Sequence, residues 1–534
     1  MMERKWWHDG VIYQIYPRTF CDSNGDGYGD LQGIISKLDY LKELGIDAIW
    51  LSPVYQSPGC DNGYDISDYR AIDPMFGTMD DMQELIDKAK ERGIRIIMDL
   101  VINHTSIEHD WFQRSRRREP GYEDYYIWRD EPNNWTGFFG GGTWTFDEER
   151  GQYYLHLFDK GQPDLNWHCP WVMEEVMGIL DFWLSKGIAG FRCDVINIIY
   201  KDTLENSQKK SIVTGIEYYN STEGCHEILR TLRREVLNKY DAFAVGETVF
   251  VTPQQGRALC EPDRGELDQI FSFEHVEVDQ VIVKWMKTKF VPEKLFRTID
   301  KWQRSLSWNT LYFENHDQPR SVSRFGDDSP RWHDLSAKAL ATLLLTMRCT
   351  PYVYAGQEIG MTNFDFTSMN EVRDVESHNI YGILKKAGVP EKVRWNMIKR
   401  TSRDNGRQPM QWTDGYNAGF TSGKPWININ RNYVNINVET QRFDPDSVLS
   451  YYKGLIALRK ENDILREGSY RARVMKKNVF VYEREYEGKK LTVAINLGGG
   501  QEKVNVSGKV LIGNYPGEYF RGMLNPWQAV VVEG

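Results

Sequence analysis

Three apolar runs of the sequence end at or near a carboxylic acid. The runs 188–197, 241–248 and 311–317 carry Asp194, Glu247 and Asp317. For any single run there is a plain structural explanation, because a charged residue can simply mark the point where the core stops. Three carboxylates offered to one face are harder to explain in this way, since like charges that converge repel each other and destabilise the fold.

Converging carboxylates suit the hydrolysis of glycosidic bonds. One acid protonates the leaving oxygen, a second carboxylate attacks the anomeric carbon, and a third can support the oxocarbenium-like transition state. Arg192 stands two residues before Asp194, so both side chains point to the same side of a strand. A guanidinium there would hold Asp194 ionised and oriented, as a nucleophile requires. His104, at a further strand end, and His316, directly before Asp317, can donate hydrogen bonds to sugar hydroxyls, although a lone histidine is more often structural.

The elements that must position these residues follow a repeating pattern. Apolar residues keep helical spacing over 31–45, 79–93 and 170–187, and a glycine followed by isoleucine ends each segment. This order is typical of a left-handed helix cap with a hydrophobic contact behind it. Each Gly-Ile pair opens an apolar run, so the sequence predicts parallel strands joined by helices.

The predicted strands number eight, and they lie within 11–20, 46–53, 94–104, 188–197, 241–248, 269–274, 311–317 and 350–357. Eight parallel strands close a (β/α)8 barrel, the TIM barrel, whose catalytic groups lie at the carboxyl ends of the strands. A doubly wound open sheet is the alternative, but no GxGxxG motif follows any of the runs. The sequence therefore favours the barrel.

Two regions interrupt the repeat and define the domain organisation. The segment 104–169, after the third strand, is rich in Gly, Trp and Tyr and is predicted to form an inserted lid domain over the catalytic face. From about residue 463 the pattern changes to period two, which predicts an antiparallel β domain over 463–534. The barrel itself is then expected in 1–103 and 170–462.

Composition limits the partners and the compartment. A net charge of −10 argues against nucleic acid as the main partner, because phosphate binding needs a basic face. The seven cysteines are scattered and form no CxxC motif, so neither a disulfide framework nor a zinc site is indicated. No apolar stretch of signal-peptide or membrane-spanning length is present. We therefore expect a cytoplasmic protein without membrane contacts; the sequence leaves its oligomeric state open.

A possible metal loop follows the first predicted strand. It places oxygen-bearing residues at alternate positions, as Ca²⁺ prefers, in Asp22, Asn24, Asp26, Tyr28 and Asp30. It is not an EF-hand, because Gly33 occupies the position of the bidentate glutamate. The alternative interpretation is an Asx- and Gly-rich turn without a metal.

Five motifs, in order along the chain, resemble a known family. Four of them are similar to the conserved regions of the α-amylase superfamily, glycoside hydrolase family 13: Asp99-Leu-Val-Ile-Asn-His104, Gly190-Phe-Arg-Cys-Asp-Val-Ile-Asn197, Gly246-Glu-Thr248 and Phe313-Glu-Asn-His-Asp317. Gln162-Pro-Asp-Leu-Asn-Trp167 resembles the fifth region in the form found in the oligo-1,6-glucosidase and dextran glucosidase group. The resemblance runs from about Trp6 to the C-terminal domain.

The resemblance implies a role for each carboxylate. Asp194 would be the nucleophile of a retaining mechanism, Glu247 the general acid and base, and Asp317 the residue that stabilises the transition state through sugar hydroxyls. In the same group the loop 22–30 resembles a structural calcium site to which Tyr28 contributes its backbone carbonyl.

The resemblance also implies a closed pocket and a preferred linkage. Asp61 and Tyr64 match the segment that closes the pocket around the terminal glucose, and Arg403 matches the arginine that pairs with that aspartate. A closed pocket implies exo action from the non-reducing end. Val195, directly after the nucleophile, goes with α-1,6 linkages in similar enzymes, so the expected substrates are isomaltose and isomalto-oligosaccharides. Val195 is equally a good strand residue, which leaves a purely structural explanation.

Other members of the superfamily share these motifs, so three alternatives stay open. The first is an α-glucosidase with a preference for trehalose 6-phosphate, sucrose or maltose, and the second is a transglucosidase. The third is a carbohydrate-binding homologue without activity, which typically lacks at least one of the three carboxylates that this sequence retains.

Overall fold

A computed structural model describes residues 4–209, 213–281 and 283–533. Residues 1–3, part of the N-terminus where the sequence predicts no leader peptide, lie outside that description. The chain divides into two compact units. Apart from the residues outside that description, the first unit comprises Met1–Ile49, Arg92–Ile94 and Glu274–Gly534, and the second comprises Trp50–Glu91 and Arg95–Phe273.

Eight parallel strands form one sheet that follows the order of a barrel. We number them β1 to β8 along the chain: Ile12–Ile15, Ala48–Leu51, Arg95–Leu100, Gly190–Cys193, Phe243–Glu247, Gln269–Phe271, Asn309–Leu311 and Cys349–Tyr354. Their order in the sheet is β6-β5-β4-β3-β2-β1-β8-β7, so neighbours in the chain are neighbours in the sheet and β1 pairs with β8. The predicted TIM barrel is confirmed.

The strands are shorter than the apolar runs that predict them. β7 ends at Leu311, where the predicted strand begins, so Tyr312 and Phe313 are buried beyond the hydrogen-bonded ladder. The predicted helix over 31–45 is two helices, Leu31–Ser36 and Leu38–Leu44, that meet at Lys37. The other two predicted helices are present as Met79–Glu91 and Pro170–Ser185.

The second unit contains β3 to β6, the helices between them and the predicted insertion 104–169. Its α-helices are Met79–Glu91, Asp110–Arg116, Pro170–Ser185, Glu223–Glu235 and Pro253–Cys260. The insertion contains a three-stranded antiparallel sheet of Trp128–Arg129, Gln152–Leu155 and Trp144–Asp147, and a short pair outside it joins Tyr55–Gln56 with Asp68–Ile72. The turns carry the 3-10 helices Ile196–Ile198, Ile216–Tyr218 and Leu237–Tyr240.

The first unit contains β1, β7, β8 and the C-terminal region. Its α-helices are Trp6–Asp9, Leu31–Ser36, Leu38–Leu44, Pro292–Ser305, Ser321–Arg324, His333–Thr346, Val375–Lys386, Glu391–Thr401, Val438–Arg442, Val448–Glu461 and Asp463–Glu467. The 3-10 helices are Pro17–Thr19, Glu274–Val276, Gln357–Ile359, Met369–Glu371, Arg403–Asn405, Tyr416–Gly419 and Arg431–Val434.

The C-terminal region is an antiparallel sheet, as the period-two pattern predicts. Its six strands lie in the order Ser469–Lys476, Val479–Tyr486, Lys489–Asn496, Ala529–Glu533, Gly508–Gly513 and Tyr519–Phe520, with a separate pair of Glu502–Lys503 and Met523–Leu524. Buried Arg484 of this sheet donates hydrogen bonds to the carbonyl oxygen of Thr346, at 2.8 Å, and to that of Gly468, at 2.9 Å. The guanidinium thus satisfies carbonyl groups at two helix ends.

Within the described ranges, no helix combines the length and the apolar character needed to cross a bilayer.

Candidate active site

Arg192, on β4 of the second unit, is the centre of a buried charge cluster. Its Nη1 lies 2.5 Å from Asp99 Oδ1 on β3 and 2.6 Å from Asp194 Oδ1 just after β4. Its Nη2 lies 2.5 Å from Glu247 Oε2 at the end of β5. The ends of three neighbouring parallel strands therefore bring three carboxylates to a single guanidinium.

The balance of charge in this cluster favours the retention of a proton. Arg192 supplies one positive charge against three carboxylates, and its own pKa is raised by them although burial opposes its charge. Burial raises the pKa of Asp194 well above its usual range; Arg192 opposes that shift, while the charges of Glu247 and Asp99 add to it. The sequence predicts that Arg192 keeps Asp194 ionised, but here its charge is divided among three acids. The charges of Glu247 and Asp99 thus oppose the ionisation of Asp194 that Arg192 favours.

Asp99 is a member of this cluster that we did not single out from the sequence. Beyond its contact with Arg192, its Oδ2 accepts a hydrogen bond from Trp50 Nε1 at 2.8 Å, and Tyr64 Oη lies 3.3 Å from the same oxygen. The Trp50 ring lies 5.1 Å from the guanidinium carbon of Arg192. An aspartate among the apolar residues of 96–102 was the available signal, because a buried carboxylate needs a cationic or hydrogen-bonding partner.

Asp61 and Tyr64 lie in one turn of the second unit, and both are buried. Asp61 accepts a hydrogen bond at its backbone carbonyl from the Tyr64 amide, and its own amide donates to Asp65 Oδ1 at 3.0 Å. The Tyr64 ring centroid is 5.9 Å from the Arg192 guanidinium, which links this turn to the charge cluster. The structure thus places the predicted pocket segment beside Arg192, while its contact with a terminal glucose stays a prediction.

His104 is held between the insertion and the turn of Tyr64. Its Nε2 lies 3.1 Å from the Tyr64 carbonyl oxygen, and its Nδ1 lies 3.1 Å from Asn103 Nδ2. Burial lowers the pKa of His104 to about 4, so the ring is neutral. Both nitrogens already contact protein atoms, and donation to a sugar hydroxyl stays a prediction.

A buried ion pair between Lys201 and Asp164 fixes Asn103, the residue directly before His104. Lys201 Nζ lies 2.6 Å from Asp164 Oδ2 and donates to Asn103 Oδ1 at 2.8 Å, while Asn103 Nδ2 donates to Asp164 at 3.1 Å. Because an ammonium only donates and a carboxylate only accepts, these contacts set the orientation of the Asn103 amide. Sequence reasoning missed Lys201, which stands four residues beyond the second motif and had no detectable signal.

Val195 follows Asp194 in an unusual backbone conformation. Its φ of 37° lies in the left-handed region, which is a rare outlier for a β-branched residue. Its amide lies 3.4 Å from Glu247 Oε2, and its side chain packs in an apolar cluster with Leu157 and Ile198. Strain of this kind is concentrated at functional sites, where surrounding contacts impose it.

Asp317, beyond β7 in the first unit, lies among cationic groups. Its Oδ1 is 2.7 Å from Arg407 Nη2 and 3.5 Å from Arg403 Nη1, and its Oδ2 is 3.2 Å from His316 Nε2. Burial alone would raise its pKa, but His316 and the two arginines lower it well below the usual range. The carboxylate is ionised, and 31% of its side chain is exposed to solvent.

The predicted residues His316 and Arg403 orient this carboxylate from two sides. His316 Nδ1 lies 2.8 Å from Gln14 Nε2, so both ring nitrogens contact protein atoms and donation to sugar stays a prediction. Arg403 Nε donates to Asp374 Oδ1 at 2.9 Å. Sequence reasoning missed Arg407, although it stands in the segment that supplies Arg403.

The candidate metal loop is built from successive side-chain to backbone hydrogen bonds. Asp22 Oδ2 accepts from the Gly27 amide at 2.8 Å, Asn24 Oδ1 from the Asp26 amide at 2.9 Å, and Asp26 Oδ1 from the Tyr28 amide at 2.8 Å. These Asx turns direct carboxylate and amide oxygens of alternate residues into one loop. The donors are all oxygens, which is the chemistry that Ca²⁺ selects.

Asp30 also accepts hydrogen bonds from backbone amides at both of its carboxylate oxygens. Its Oδ1 accepts from the Gly33 amide at 2.6 Å and caps the helix Leu31–Ser36, while its Oδ2 accepts from the Ser23 amide at 2.9 Å. In the part of the chain that the structure describes, no group of three or more His, Cys, Asp or Glu side chains is placed to hold a metal ion. A calcium ion would therefore depend on Asp22 and Asp26, with carbonyl oxygens from Asn24 and Tyr28.

Comparisons with known proteins place the chain among carbohydrate-active enzymes. The family model of the alpha-amylase catalytic domain matches residues 14–468. An oligo-1,6-glucosidase of Parageobacillus thermoglucosidasius is 47% identical over 561 residues, which cover 99% of each chain. A glucan 1,6-alpha-glucosidase of Streptococcus pneumoniae is 44% identical, with 100% of both chains covered. The crystal structure of Bacillus licheniformis trehalose-6-phosphate hydrolase superposes with a TM-score of 0.93 at 43% identity, covering 99% of this chain and 100% of that one.

Proposed function

The chain belongs to the alpha-amylase family of glycoside hydrolases, and on that premise we propose the following activity. The protein is a retaining exo-α-glucosidase that hydrolyses α-1,6 linkages at the non-reducing end of isomaltose and isomalto-oligosaccharides. The contact of Asp194 and Glu247 with one guanidinium carries the proposal, because retaining enzymes need two carboxyl groups side by side.

The first step of that reaction needs one proton donor and one carboxylate. Glu247 donates the proton to the glycosidic oxygen while an oxygen of Asp194 forms a bond to the anomeric carbon, and the carbon–oxygen bond to the leaving sugar breaks. Glu247 then takes a proton from water, whose oxygen displaces Asp194 from the anomeric carbon. Glucose leaves in its original configuration, and Glu247 is again the proton donor.

Asp317 supplies the third charge in this proposal. As an ionised group it would accept hydrogen bonds from sugar hydroxyls and stabilise the positive charge that develops in the transition state. His316, Arg403 and Arg407 keep it ionised in the free enzyme. Asp61, Tyr64 and Arg403 would bind the terminal glucose. A pocket closed around that glucose makes the enzyme exo-acting.

The α-1,6 preference rests on two supports. The relatives named above include an oligo-1,6-glucosidase and a glucan 1,6-alpha-glucosidase, each alignable over nearly the whole chain. In addition, Val195, which goes with α-1,6 linkages in similar enzymes, follows Asp194 directly and is held in a strained conformation.

Glucose release from isomaltose, maltose and trehalose 6-phosphate, measured in parallel, tests the proposal, with Asp194→Asn as the blank. We expect isomaltose to be hydrolysed fastest. A lead for trehalose 6-phosphate would assign this chain the activity in the name of its Bacillus licheniformis neighbour. Exo action is tested on long dextran, where a rapid fall in viscosity before glucose appears would contradict it.

We further propose that the loop 22–30 holds a structural Ca²⁺ ion. Asp22 and Asp26 would supply carboxylate oxygens, Asn24 its amide oxygen and Tyr28 its backbone carbonyl. When bound, the ion would neutralise the two carboxylates and stiffen the loop. The loop takes no part in the proton and bond changes described above.

For the compartment we propose the cytoplasm. All seven cysteines are free, and six of them are buried. Unpaired cysteines in this number suit a reducing compartment. Fractionation of the native cells with activity on isomaltose as the marker tests this location.

A further inference from the structure

Phe250 is an exposed aromatic residue in a conformation that phenylalanine rarely adopts. Its φ is 50°, in the left-handed region, and 57% of the residue is exposed. The conformation costs free energy, and a large apolar ring with this exposure is not a core residue. Phe250 stands three residues after Glu247, which is the proposed acid. Strained residues that persist beside reacting groups point to function.

The ring of Phe250 ends a column of aromatic side chains. Its centroid lies 6.2 Å from that of Phe138 at an interplanar angle of 20°, and Phe138 lies 4.9 Å from Phe158 at 11°. Phe158 in turn lies 5.2 Å from the ring of His104. The column thus starts at a residue in contact with the pocket turn and ends at the exposed ring of Phe250.

The backbone beside Phe250 is fixed from below. The Val249 amide donates to Asn197 Oδ1 at 3.0 Å, and Asn197 Nδ2 donates to the Val249 carbonyl at 2.9 Å. Asn197 is fully buried and follows Asp194 by three residues. This pair of hydrogen bonds ties the segment after the proposed acid to the segment after the proposed nucleophile, so the Phe250 ring is presented by a rigid support.

We propose that Phe250 is a specificity-determining residue whose open face stacks on the leaving sugar of the substrate. The inference rests on the proposed function and assigns a ligand to a surface beside that site. Glu247 protonates the oxygen that joins the terminal glucose to the leaving group, so residues directly after Glu247 border the leaving group. One face of the Phe250 ring packs against Phe138, and the other can cover the apolar face of a pyranose ring.

The test compares two substrates that share the glucosyl group but differ in the leaving group. Isomaltotriose has a leaving group of two glucose units, whereas in α-D-glucosyl fluoride it is a single atom. The readout is the ratio of kcat/KM for isomaltotriose to kcat/KM for the fluoride. We expect Phe250→Gly and Phe250→Ala to lower this ratio about fivefold to tenfold, and Phe250→Tyr to keep it within about twofold of the wild type.

Thermal melting separates this role from a structural one. Phe250→Gly should melt at a higher temperature than Phe250→Ala, because only glycine adopts the positive φ without strain, while both lower the substrate ratio alike. Phe146→Ala removes another half-exposed aromatic ring of the second unit, and Lys477→Gly relieves another positive φ. Both controls should leave the ratio unchanged.

The outcomes are distinct. An unchanged ratio in Phe250→Gly and Phe250→Ala overturns the inference and leaves the proposed function intact. The inference also fails if the ratio follows melting temperature across all five variants. If the wild-type protein releases glucose from neither substrate, the proposed function itself is wrong, and the inference falls with it.

Discussion

Arg407 Nη2 lies 2.7 Å from Asp317 Oδ1, nearer than Arg403, whose Nη1 is 3.5 Å from the same oxygen. Arg407 also donates from Nε to the carbonyl oxygen of His316 at 2.9 Å. One buried guanidinium therefore holds both the side chain of Asp317 and the backbone next to it. Arg407, which sequence reasoning missed, therefore makes the shorter contact with Asp317.

Removal of that guanidinium should weaken catalysis. In Arg407→Met we expect the pKa of Asp317 to rise and kcat/KM on isomaltose to fall about a hundredfold, since a buried partner of the charge is lost. Arg407→Lys keeps a positive charge and should recover part of the loss. Kinetics at several pH values, together with a thermal melt of each variant, check this. Equal kcat/KM in the wild type and Arg407→Met would show that Arg407 does not act through Asp317.

The position of Glu247 beside Asp194 predicts a pH effect with a definite sign. Burial and the charge of Glu247 both raise the pKa of Asp194, so Glu247→Gln, which removes that charge, should lower it. Because Asp194 must be ionised to attack, the acidic limb of the kcat/KM profile should move to lower pH in that variant. The measurement uses α-D-glucosyl fluoride, whose leaving group needs no acid. A limb that stays in place, or moves to higher pH, would contradict the coupling.

The linkage preference is expected to depend on Val195. Val195→Ala and Val195→Thr should raise the hydrolysis of maltose relative to isomaltose, because each widens or reshapes the wall beside the cleaved bond. Val195→Gly serves as the control for strain, since glycine adopts the observed positive φ freely. Parallel kcat/KM values for both disaccharides give the result. If the ratio is the same in all variants, Val195 is not the selector.

Removal of calcium should lower the thermal stability of the protein, because the loop takes no part in the catalytic steps. If the loop 22–30 binds Ca²⁺, a chelator should lower the melting temperature by about one to two degrees, the shift expected for about 1–2 kcal/mol in a chain of 534 residues. Added Ca²⁺ should restore it, whereas Asp26→Asn should lose the response to chelator. An unchanged melting temperature with and without chelator would remove the metal from the proposal.

The sequence predicts the barrel well because its signals are local and repeated. A helix cap such as Gly45 or Gly187 depends only on residues near it along the chain. The same holds for an apolar run of strand length. The carboxylates Asp194 and Glu247 could be placed together because the carboxyl ends of parallel strands lie at one edge. The predicted position of β7 begins too late in the chain. Tyr312 and Phe313 are buried by packing rather than by strand pairing, and apolar patterning does not distinguish the two.

The rest of the site depends on contacts between distant parts of the chain. Lys201 contacts Asp164 and Asn103, which lie far from it along the chain, so no local pattern indicates these contacts. Asp99, from another strand, also contacts the guanidinium of Arg192, and no spacing along the sequence indicates this contact. Phe250 looks like an ordinary loop residue until its φ and its stacking are known.

The contacts of Arg484 bear on how this enzyme can be engineered. Its guanidinium lies in the C-terminal sheet but serves carbonyl groups at the end of His333–Thr346 and at Gly468. A chimaera that exchanges everything after Gly468 for another sheet would leave those carbonyls buried and unpaired unless the replacement supplies an equivalent arginine. Swapping of terminal domains in this protein is therefore constrained at one residue, and a donor sheet can be screened for it from its sequence alone.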